Sequence, residues 1–260
     1  MPAGIVLAGG RSSRMGTPKA WLEWHGSTLL RRVCGIVARG VSGPVVVVRA
    51  PAQELPELPD GVRVVEDARE GRGPLQGILA GLQAVDAEIA FVASVDLPLL
   101  HPQFVAAVCR GAVGADVAVP HVGGFRQPLA AAYRPTLAPL VAELVEADRM
   151  KPAFLYERCE TRWLEQLPHP ESIRNLNARA DYAAALAEPE PLVRVRCFGP
   201  LKRPPVELRA ATLGAAAGAV DVTLDDHVLA ALNGDQIARD PLEPLAEGDE
   251  VALMAADAGG

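Results

Sequence analysis

Aromatic side chains are scarce in this sequence of 260 residues, at 4% of the chain, although half of all residues are hydrophobic. Alanine, valine and leucine must therefore fill the core, and so much apolar content excludes a wholly disordered chain. No apolar run approaches the roughly 18 residues that a membrane-spanning helix needs. The N-terminal segment MPAGIVLAGG lacks the basic start of a signal peptide. We therefore expect a cytoplasmic protein with no membrane partner.

Cysteines and basic residues are also few. The four cysteines are scattered without a CxxC pair, which argues against a structural zinc site and predicts buried, reduced thiols: Cys34, Cys109, Cys159 and Cys197. The chain has 25 Lys and Arg against 32 Asp and Glu, for a net charge of -7. A general nucleic-acid binder carries a basic face, so no nucleic-acid partner is expected.

Short apolar runs alternate with helical patterns over the first 120 residues. Strands that alternate with helices predict a three-layer, Rossmann-like α/β domain with a mostly parallel sheet. One helix is predicted to follow the N-cap Ser27, and another begins at Pro74. A hairpin is predicted over 123–135, with helices over 136–147 and 178–187. The five predicted strands are residues 4–8, 44–49, 62–67, 89–96 and 116–120.

The acidic, proline-containing stretch EPEP at 188–191 predicts a stiff linker between two domains. We expect the first domain to span residues 1–187 and the second to span 192–260. In the second, LVRVRCF alternates in polarity as a half-exposed strand does, and the order of the following segments predicts a small α+β fold.

The segment LAGGRSSRMGTPK, residues 7–19, leaves the first predicted strand with three glycines and three cations. Gly9 and Gly10 open a backbone path closed to other residues and let the chain approach a phosphate or base. Arg11, Arg14 and Lys19 add positive charge that suits a triphosphate. The spacing matches neither GxGxxG nor GxxxxGK[ST]. The competing interpretation is a glycine-rich surface turn with solvated cations.

Two aspartates follow predicted strands. Asp96, in SVDLPLL, ends an apolar strand where open α/β sheets bind ligands, and a carboxylate there suits Mg²⁺ beside a triphosphate. Asp67, in VEDAREGRGPLQG, precedes a helix whose glycines permit close approach to a ligand. The alternatives are a turn or N-cap aspartate for Asp96 and ordinary helix initiation for GPLQG.

Together with NLN at 175–177, these motifs make residues 3–187 resemble the molybdenum cofactor guanylyltransferases of the nucleotidyltransferase superfamily. The resemblance implies transfer of GMP from GTP to molybdopterin, with Mg²⁺ on Asp96 and pyrophosphate leaving. It implies catalytic roles for Arg14, Lys19 and Asp96. The implied ligand-binding residues are Leu7, Ala8, Gly9, Gly10, Lys19, Asp67, Asp96, Asn175 and Asn177, the two asparagines lying toward the pterin.

The implied reaction needs no general base, because the attacking phosphate is already ionised. Three histidines are therefore expected to be surface or core fillers: His25, His101 and His121. Arg126 or Arg134 is expected either to meet the acceptor's phosphate or to lie on a solvated hairpin.

This sequence departs from the family pattern at three positions. Pro18 stands where many relatives have Asp, and Arg49 and Gln53 follow the second strand, where the family often has Asn near the guanine. Gly10 favours guanine, since the sibling cytidylyltransferases tend to carry LAAG. A cytidylyltransferase for the same pterin, a sugar-phosphate nucleotidyltransferase and a non-catalytic scaffold for the C-terminal domain stay open.

Residues 192–260 resemble the sulfur-carrier subunit of molybdopterin synthase, a β-grasp, ubiquitin-like α+β protein. The resemblance implies a thiocarboxylate at Gly260 and two partners, an adenylating enzyme and the large subunit of molybdopterin synthase. The competing interpretation of the final Gly259-Gly260 is a frayed terminus. The Ala-rich segment after VELRA predicts a short, weak helix.

Overall fold

The computed structural model describes residues 1–9, 17–67 and 73–255 of the chain. Contacts divide it into two compact units. The first comprises Met1–Leu22 and Thr28–Arg179, and the second comprises Glu23–Ser27 and Ala180–Gly260. The contact boundary therefore falls before the acidic stretch at 188–191, whose role as a linker stays a prediction.

The strands and helices follow one another in the order that the apolar runs predict. The strands are β1 (Ala3–Leu7), β2 (Glu23–Trp24), β3 (Ser27–Thr28), β4 (Val45–Arg49), β5 (Arg63–Glu66), β6 (Ala90–Ser94), β7 (Val117–Val122), β8 (Phe125–Arg126), β9 (Ala130–Tyr133), β10 (Thr161–Leu164), β11 (Leu192–Phe198), β12 (Arg203–Arg209), β13 (Val228–Leu232), β14 (Gln236–Ala238) and β15 (Glu250–Ala255). The helices are α1 (Leu29–Gly40), α2 (Pro74–Ala84), α3 (Pro102–Gly111), α4 (Ala138–Glu146), α5 (Pro152–Tyr156), α6 (Arg179–Leu186) and α7 (Leu213–Gly218).

An eight-stranded sheet forms the centre of the first unit, in the order β10-β7-β9-β6-β1-β4-β5, with β8 paired to β7. The β4, β1 and β6 strands are parallel neighbours, and β9 runs antiparallel between β6 and β7. Helices α1 and α3 pack together on one face of the sheet, and α2 and α4 pack together on the other. The predicted three-layer, mostly parallel α/β core is confirmed.

The N-cap of α1 differs from the prediction. Thr28, not Ser27, caps the helix, because the Thr28 hydroxyl accepts a hydrogen bond from the Arg31 backbone N–H at 3.3 Å. Ser27 instead pairs in the short β2–β3 hairpin, whose turn residues His25 and Gly26 both have positive φ. Ser27 and Thr28 carry similar hydroxyl groups. The pairing of the β2–β3 hairpin places Thr28, and not Ser27, directly before the helix.

The predicted hairpin over 123–135 is only partly correct. Phe125 and Arg126 do pair back onto β7, but Ala130–Tyr133 forms a fully buried strand inside the main sheet. Alanine is depleted in strands, so the run AAAY carries little strand signal of its own. Its burial between β6 and β7 stabilises the extended conformation.

The second unit contains a five-stranded mixed sheet in the order β12-β11-β15-β13-β14. Only β11 and β15 are parallel, and the other neighbouring pairs are antiparallel. The polarity of β11 alternates as predicted, with Val193, Val195 and Cys197 buried. These side chains pack with the short α7 in a separate apolar core. None of the helices in the described ranges has the length and apolar character that a membrane span requires.

Candidate active site

Six of the described strands of the first unit, β1, β4, β5, β6, β7 and β10, run in the same direction and end at one edge of the sheet, which we call the carboxyl edge. Leu7, Ala8 and Gly9 leave β1 there, Asp67 follows β5, and Asp96 follows β6. Because β1 lies between β4 and β6, its loop occupies the middle of this edge. Open α/β sheets bind ligands outside the carboxyl ends of their strands.

Lys19 and Asp96 meet at this edge across 77 residues of sequence. The Lys19 Nζ lies 3.2 Å from the Asp96 Oδ2, and both side chains are less than one-fifth exposed. Asp96 Oδ1 is buried and has no hydrogen-bond partner among the residues described. One oxygen of the carboxylate is thus paired with a cation, and the other is left with its acceptor capacity unused.

A buried carboxylate oxygen without a partner fits a divalent cation, because Mg²⁺ prefers oxygen ligands. Within the described ranges, no cluster of three or more His, Cys, Asp or Glu side chains is arranged to hold a metal. Mg²⁺ commonly binds through one or two carboxylates plus substrate phosphates and water. Asp96 fits that pattern, in which the substrate completes the coordination.

The NLN segment is attached directly to the Asp96 turn. The Leu176 backbone N–H donates to the Asp96 carbonyl oxygen at 3.0 Å, and the Leu176 side chain is fully buried. Asn175 and Asn177 are exposed on either side of this anchor. The structure therefore brings both asparagines beside the aspartate, although 79 residues separate Asp96 from Asn175.

Gln53 fixes the end of β1. Its side-chain Nε2 donates to the Ala8 carbonyl oxygen at 3.0 Å, while its Oε1 accepts from the Ala50 backbone N–H at 2.9 Å. The Ala8 N–H in turn donates to the Val48 carbonyl oxygen. Gln53 therefore holds the loops after β1 and β4 together, and both ends of its amide are engaged by the backbone.

Gly9 does not need glycine's conformational freedom, which corrects the sequence-based expectation for this position. Its φ is not positive, and a Cβ placed there would meet the Ala50 backbone nitrogen at 3.5 Å, an ordinary van der Waals distance. The fold alone tolerates a side chain at Gly9.

Asp67 lies at the same edge but apart from the Lys19–Asp96 pair. Its backbone N–H donates to the Arg49 carbonyl oxygen at 2.8 Å, which fixes it beside β4. Three strand spacings of about 4.8 Å separate β5 from β6, or roughly 14 Å. The two aspartates therefore flank the β1 loop from opposite sides, as they would flank an extended ligand.

The GPLQG segment starts α2 at the carboxyl edge as predicted. Gly73, the N-cap, has φ +107, a backbone conformation that L side chains rarely adopt. Pro74 is the first helical residue, where its fixed φ is favourable. A Cβ on Gly77 would lie 3.4 Å from the Leu7 side chain, so the first turn of α2 packs directly on the end of β1.

Several residues named from sequence lie outside the described ranges. These are Gly10, Arg11, Arg14 and Gly16 of the first loop, together with Gly259 and Gly260 at the C-terminus. Their proposed roles stay predictions.

Arg32 is a buried residue that the sequence analysis did not single out. It is 5% exposed, and its Nε donates to the Pro98 carbonyl oxygen at 2.5 Å, two residues beyond Asp96. A buried cation that bonds a turn carbonyl fixes the turn's position. The available signal was an arginine pair within LLRRVCGIV, a run of nine consecutive buried residues.

The three histidines expected to be surface or core fillers lie in different surroundings. His101 is buried and its Nδ1 accepts from the Gln103 backbone N–H at 3.1 Å, which caps α3. Its ring stacks on that of His169, with centroids 3.6 Å apart. His25 and His121 lie beside glutamates, Glu190 and Glu165 respectively.

The two candidate phosphate-binding arginines lie at opposite edges of the sheet. Arg126 is on β8 at the carboxyl edge, whereas Arg134 follows β9 at the amino edge and lies 3.6 Å from Glu88. Of the two, only Arg126 therefore lies at the edge that carries Asp96.

The cysteines do not supply a nucleophile to the site. Cys34, Cys109 and Cys197 are buried and unpaired, while Cys159 is only partly buried. Burial raises the pKa of the Cys109 thiol to about 12, so this group stays protonated at neutral pH.

The fold is a three-layer α/β fold. At the carboxyl edge of its sheet lie the glycine that follows β1, a lysine and a strand-end carboxylate, an arrangement typical of the nucleotidyltransferase class. Residues 4–166 match the family model described as "MobA-like NTP transferase domain". The chain belongs to this MobA-like family and is a nucleotidyltransferase.

Individual relatives agree with the family assignment. The chain is 30% identical over 189 residues to a probable molybdenum cofactor guanylyltransferase of Bacillus cereus (strain AH820), covering 70% of this chain and 94% of that one. Two solved structures share the fold. Molybdopterin-guanine dinucleotide biosynthesis protein A of Archaeoglobus fulgidus matches with a TM-score of 0.57 and 21% identity, over 71% of this chain and 96% of that one. Rv0371c of Mycobacterium tuberculosis H37Rv, in complex with manganese, matches with a TM-score of 0.53 and 18% identity, over 71% and 97%.

Proposed function

We propose that this enzyme transfers GMP from GTP to molybdopterin and releases pyrophosphate, in the cytoplasm. The observation that carries the proposal is the Lys19–Asp96 pair with the unpartnered Asp96 Oδ1 at the carboxyl edge. The molybdenum cofactor guanylyltransferase name of the Bacillus cereus relative supports GTP as donor and the pterin as acceptor.

In the proposed reaction, an oxygen of the acceptor's terminal phosphate forms a bond to the α-phosphorus of GTP. The bond from that phosphorus to the bridging oxygen of the pyrophosphate breaks. The attacking phosphate is ionised at neutral pH, so no side chain needs to remove a proton. Catalysis then depends on positioning and charge neutralisation.

The charged residues at the carboxyl edge have separate roles in this proposal. Asp96 holds Mg²⁺ through Oδ1, and the bound cation supplies charge neutralisation at the α-phosphate. The manganese complex of the mycobacterial fold relative supports a divalent ion. Lys19, together with Arg14, binds the phosphates that leave as pyrophosphate.

The donor and acceptor halves of the site lie on either side of Asp96. Leu7, Ala8 and Gly9 lie at the end of the central strand β1, and Asp67 lies two strands further on. We assign these residues, together with Gly10, to the nucleotide. Asn175 and Asn177 are held against the Asp96 turn by the Leu176 N–H and bind the acceptor.

A direct transfer assay tests the donor and the acceptor together. The full chain is incubated with Mg²⁺, molybdopterin and radiolabelled GTP or CTP, and the dinucleotide product and pyrophosphate are measured. We expect the GMP adduct to exceed the CMP adduct. A preference for CTP would assign the cytidylyltransferase reaction, and turnover of a hexose phosphate without the pterin would assign a sugar-phosphate nucleotidyltransferase.

For the second unit, we propose a β-grasp domain over 192–260, after a linker at 188–191, that carries sulfur on Gly260. The observation that favours it is the sheet order β12-β11-β15-β13-β14 with parallel central strands and the short α7 against one face. The last described strand, Glu250–Ala255, lies in the middle of this sheet.

In this proposal, sulfur is attached to Gly260 in two steps that consume ATP and a hydrosulfide-equivalent donor. The Gly260 carboxylate attacks the α-phosphorus of ATP with loss of pyrophosphate, on an adenylating partner enzyme. Hydrosulfide then displaces AMP and leaves a thiocarboxylate for use by the large subunit of molybdopterin synthase.

The mass of the C-terminal peptide tests the carrier proposal independently of transfer. After incubation with an adenylating enzyme, ATP and sulfide, we expect a mass gain equal to the exchange of one oxygen for sulfur. A chain lacking Gly260 is the control and should not support thiocarboxylate-dependent product formation. Equal product from the shortened chain would refute the proposal.

A further inference from the structure

A cluster of aromatic and cationic side chains lies exposed on the first unit, in a protein with few aromatics. Phe125 on the β7–β8 hairpin is 72% exposed, and Trp163 on the edge strand β10 is 39% exposed. Arg126 places its guanidinium carbon 4.3 Å from the centre of the Trp163 ring. We call Arg126 and Trp163 the stacking platform. Phe125 pairs with Val122, next to the Arg126–His121 pair, so its ring lies on the opposite face of the hairpin.

Two tyrosines support the platform from below. The Tyr156 ring packs edge-on against the Trp163 ring, with ring centroids 5.4 Å apart. The Tyr156 hydroxyl oxygen lies 3.2 Å from that of Tyr133. The Tyr133 hydroxyl donates to the Pro128 carbonyl oxygen at 2.8 Å. Burial raises the pKa of the Tyr156 hydroxyl to about 12, so the tyrosine beneath the platform stays uncharged at neutral pH.

The platform faces the same side of the sheet as α2 and lies toward the carboxyl edge. Trp163 pairs with Val119, and Arg126 pairs with His121, two residues further along β7. Paired residues on neighbouring strands share a face, and Val119 packs in the core beneath α2 and α4. The hairpin continues from the end of β7, which is parallel to β6.

The platform is separated from Asp96 by a short, defined path. From β6 the sheet runs through β9 and β7 to β10, which is three spacings or roughly 14 Å. Asp67 lies a similar number of strands away in the opposite direction. A nucleotide that extends from Asp96 toward β5 therefore leaves the β10 side for the other reactant.

We propose that the stacking platform binds the flat heteroaromatic ring of the acceptor, a pterin, while the acceptor's phosphate reaches Asp96. This inference rests on the proposed function. Aromatic faces and arginine planes bind flat heterocycles by stacking, and loss of one such contact weakens binding about tenfold or more. The alternative is that Arg126 and Trp163 only stabilise the hairpin.

Steady-state kinetics of the full chain separate these possibilities. We expect Trp163→Ala to raise the KM for molybdopterin about tenfold or more, with the KM for GTP and the kcat at saturating acceptor nearly unchanged. Trp163→Phe keeps a stacking face and should recover most of the affinity. Phe125→Ala removes an exposed ring on the opposite face of the same hairpin and is the local control, so it should leave this KM unchanged.

A fluorescent probe adds a readout independent of turnover. Carboxypterin is titrated into the wild-type protein, and we expect quenching of its fluorescence that Trp163→Ala abolishes. Phe198→Ala is the matched control, because it removes another exposed ring beside an arginine, Arg196, in the second unit. Quenching should be unchanged in that variant.

The outcomes distinguish the platform from the reaction. If the wild type makes the GMP adduct and the Trp163→Ala variant has the wild-type KM for molybdopterin, the platform is wrong and the transferase proposal stands. If the wild type makes no adduct but quenches carboxypterin through Trp163, the reaction is wrong and the pterin site stands. Equal quenching by wild type and Trp163→Ala overturns the platform.

Discussion

The two edges of the large sheet both carry arginines, but in the described part of the chain they differ in what lies beside those arginines. The amino edge has a cavity of about 420 Å³, whose lining includes Arg39, Arg110 and Glu88. The carboxyl edge has the Asp96 oxygen that is buried without a partner in the described part of the chain. The proposed site therefore rests on an unsatisfied buried acceptor and not on cavity volume or positive charge.

The direction of the helices accounts for the difference. Arg39 and Arg110 lie in the last turns of α1 and α3, which end at the amino edge. Cations are favourable there because the C-terminus of a helix carries partial negative charge. Helix α2 begins at the carboxyl edge, where its N-terminus favours anions such as phosphate. Arg39 and Arg110 at the amino edge therefore have a structural explanation, and four substitutions test the comparison.

The largest effect is expected for Asp96→Asn. The amide keeps the shape of the side chain but removes the charge that binds the cation, so we expect kcat to fall at least about a hundredfold. Transfer of label from GTP to molybdopterin measures the loss. Glu88→Gln makes the matching change at the amino edge and should leave turnover intact. A loss below about tenfold in Asp96→Asn would contradict the assignment.

A smaller effect is expected for Arg32→Met. Removing the donor leaves the buried Pro98 carbonyl unpaired, which should lower the free energy of unfolding by about 1–3 kcal/mol. We also expect the Mg²⁺ concentration for half-maximal activity to rise about tenfold, because the Asp96 turn loses its anchor. Magnesium titrations of activity give this value, and denaturant unfolding gives the stability.

The neighbouring arginine supplies the control for Arg32. Arg31 is also buried in α1, but it donates to Glu57 and to the Leu58 carbonyl, away from the Asp96 turn. Arg31→Met should destabilise the fold and leave the magnesium dependence unchanged. If both variants shift the magnesium requirement equally, Arg32 has no special positioning role.

The contrast between these two arginines shows where prediction from sequence stops. Apolar runs located the strands, and strand-to-helix alternation predicted the sheet, because burial on both faces leaves a local pattern. The Asp96 turn, in contrast, is held by two contacts from distant parts of the sequence. Arg32 on α1 bonds the Pro98 carbonyl, 66 residues away, and the Leu176 N–H bonds the Asp96 carbonyl, 80 residues away. No local pattern distinguishes Arg32 from Arg31, since both occupy the same buried helix.

The Gly9→Ala substitution tests whether the glycine is needed for ligand binding or for the stability of the fold. The new methyl group would have ordinary contacts with Ala50, so the melting temperature should not fall. If GTP packs against the β1 loop, the methyl group should raise the KM for GTP severalfold. An unchanged KM would show that the nucleotide does not approach Gly9, and a lower melting temperature would show that the glycine serves the fold.

The smallest effect is expected for Arg134→Ala, which tests the amino edge directly. Its ion pair with Glu88 is partly exposed, with side-chain exposures of 30% and 72%, and such pairs contribute at most about 1 kcal/mol. We expect the KM for molybdopterin and for GTP to stay at wild-type values, with only a slight loss of stability. Arg126→Ala is the counterpart at the carboxyl edge and should raise the KM for molybdopterin. A raised KM in Arg134→Ala alone would mean that the acceptor's phosphate binds at the amino edge, and the comparison between the two edges would fail.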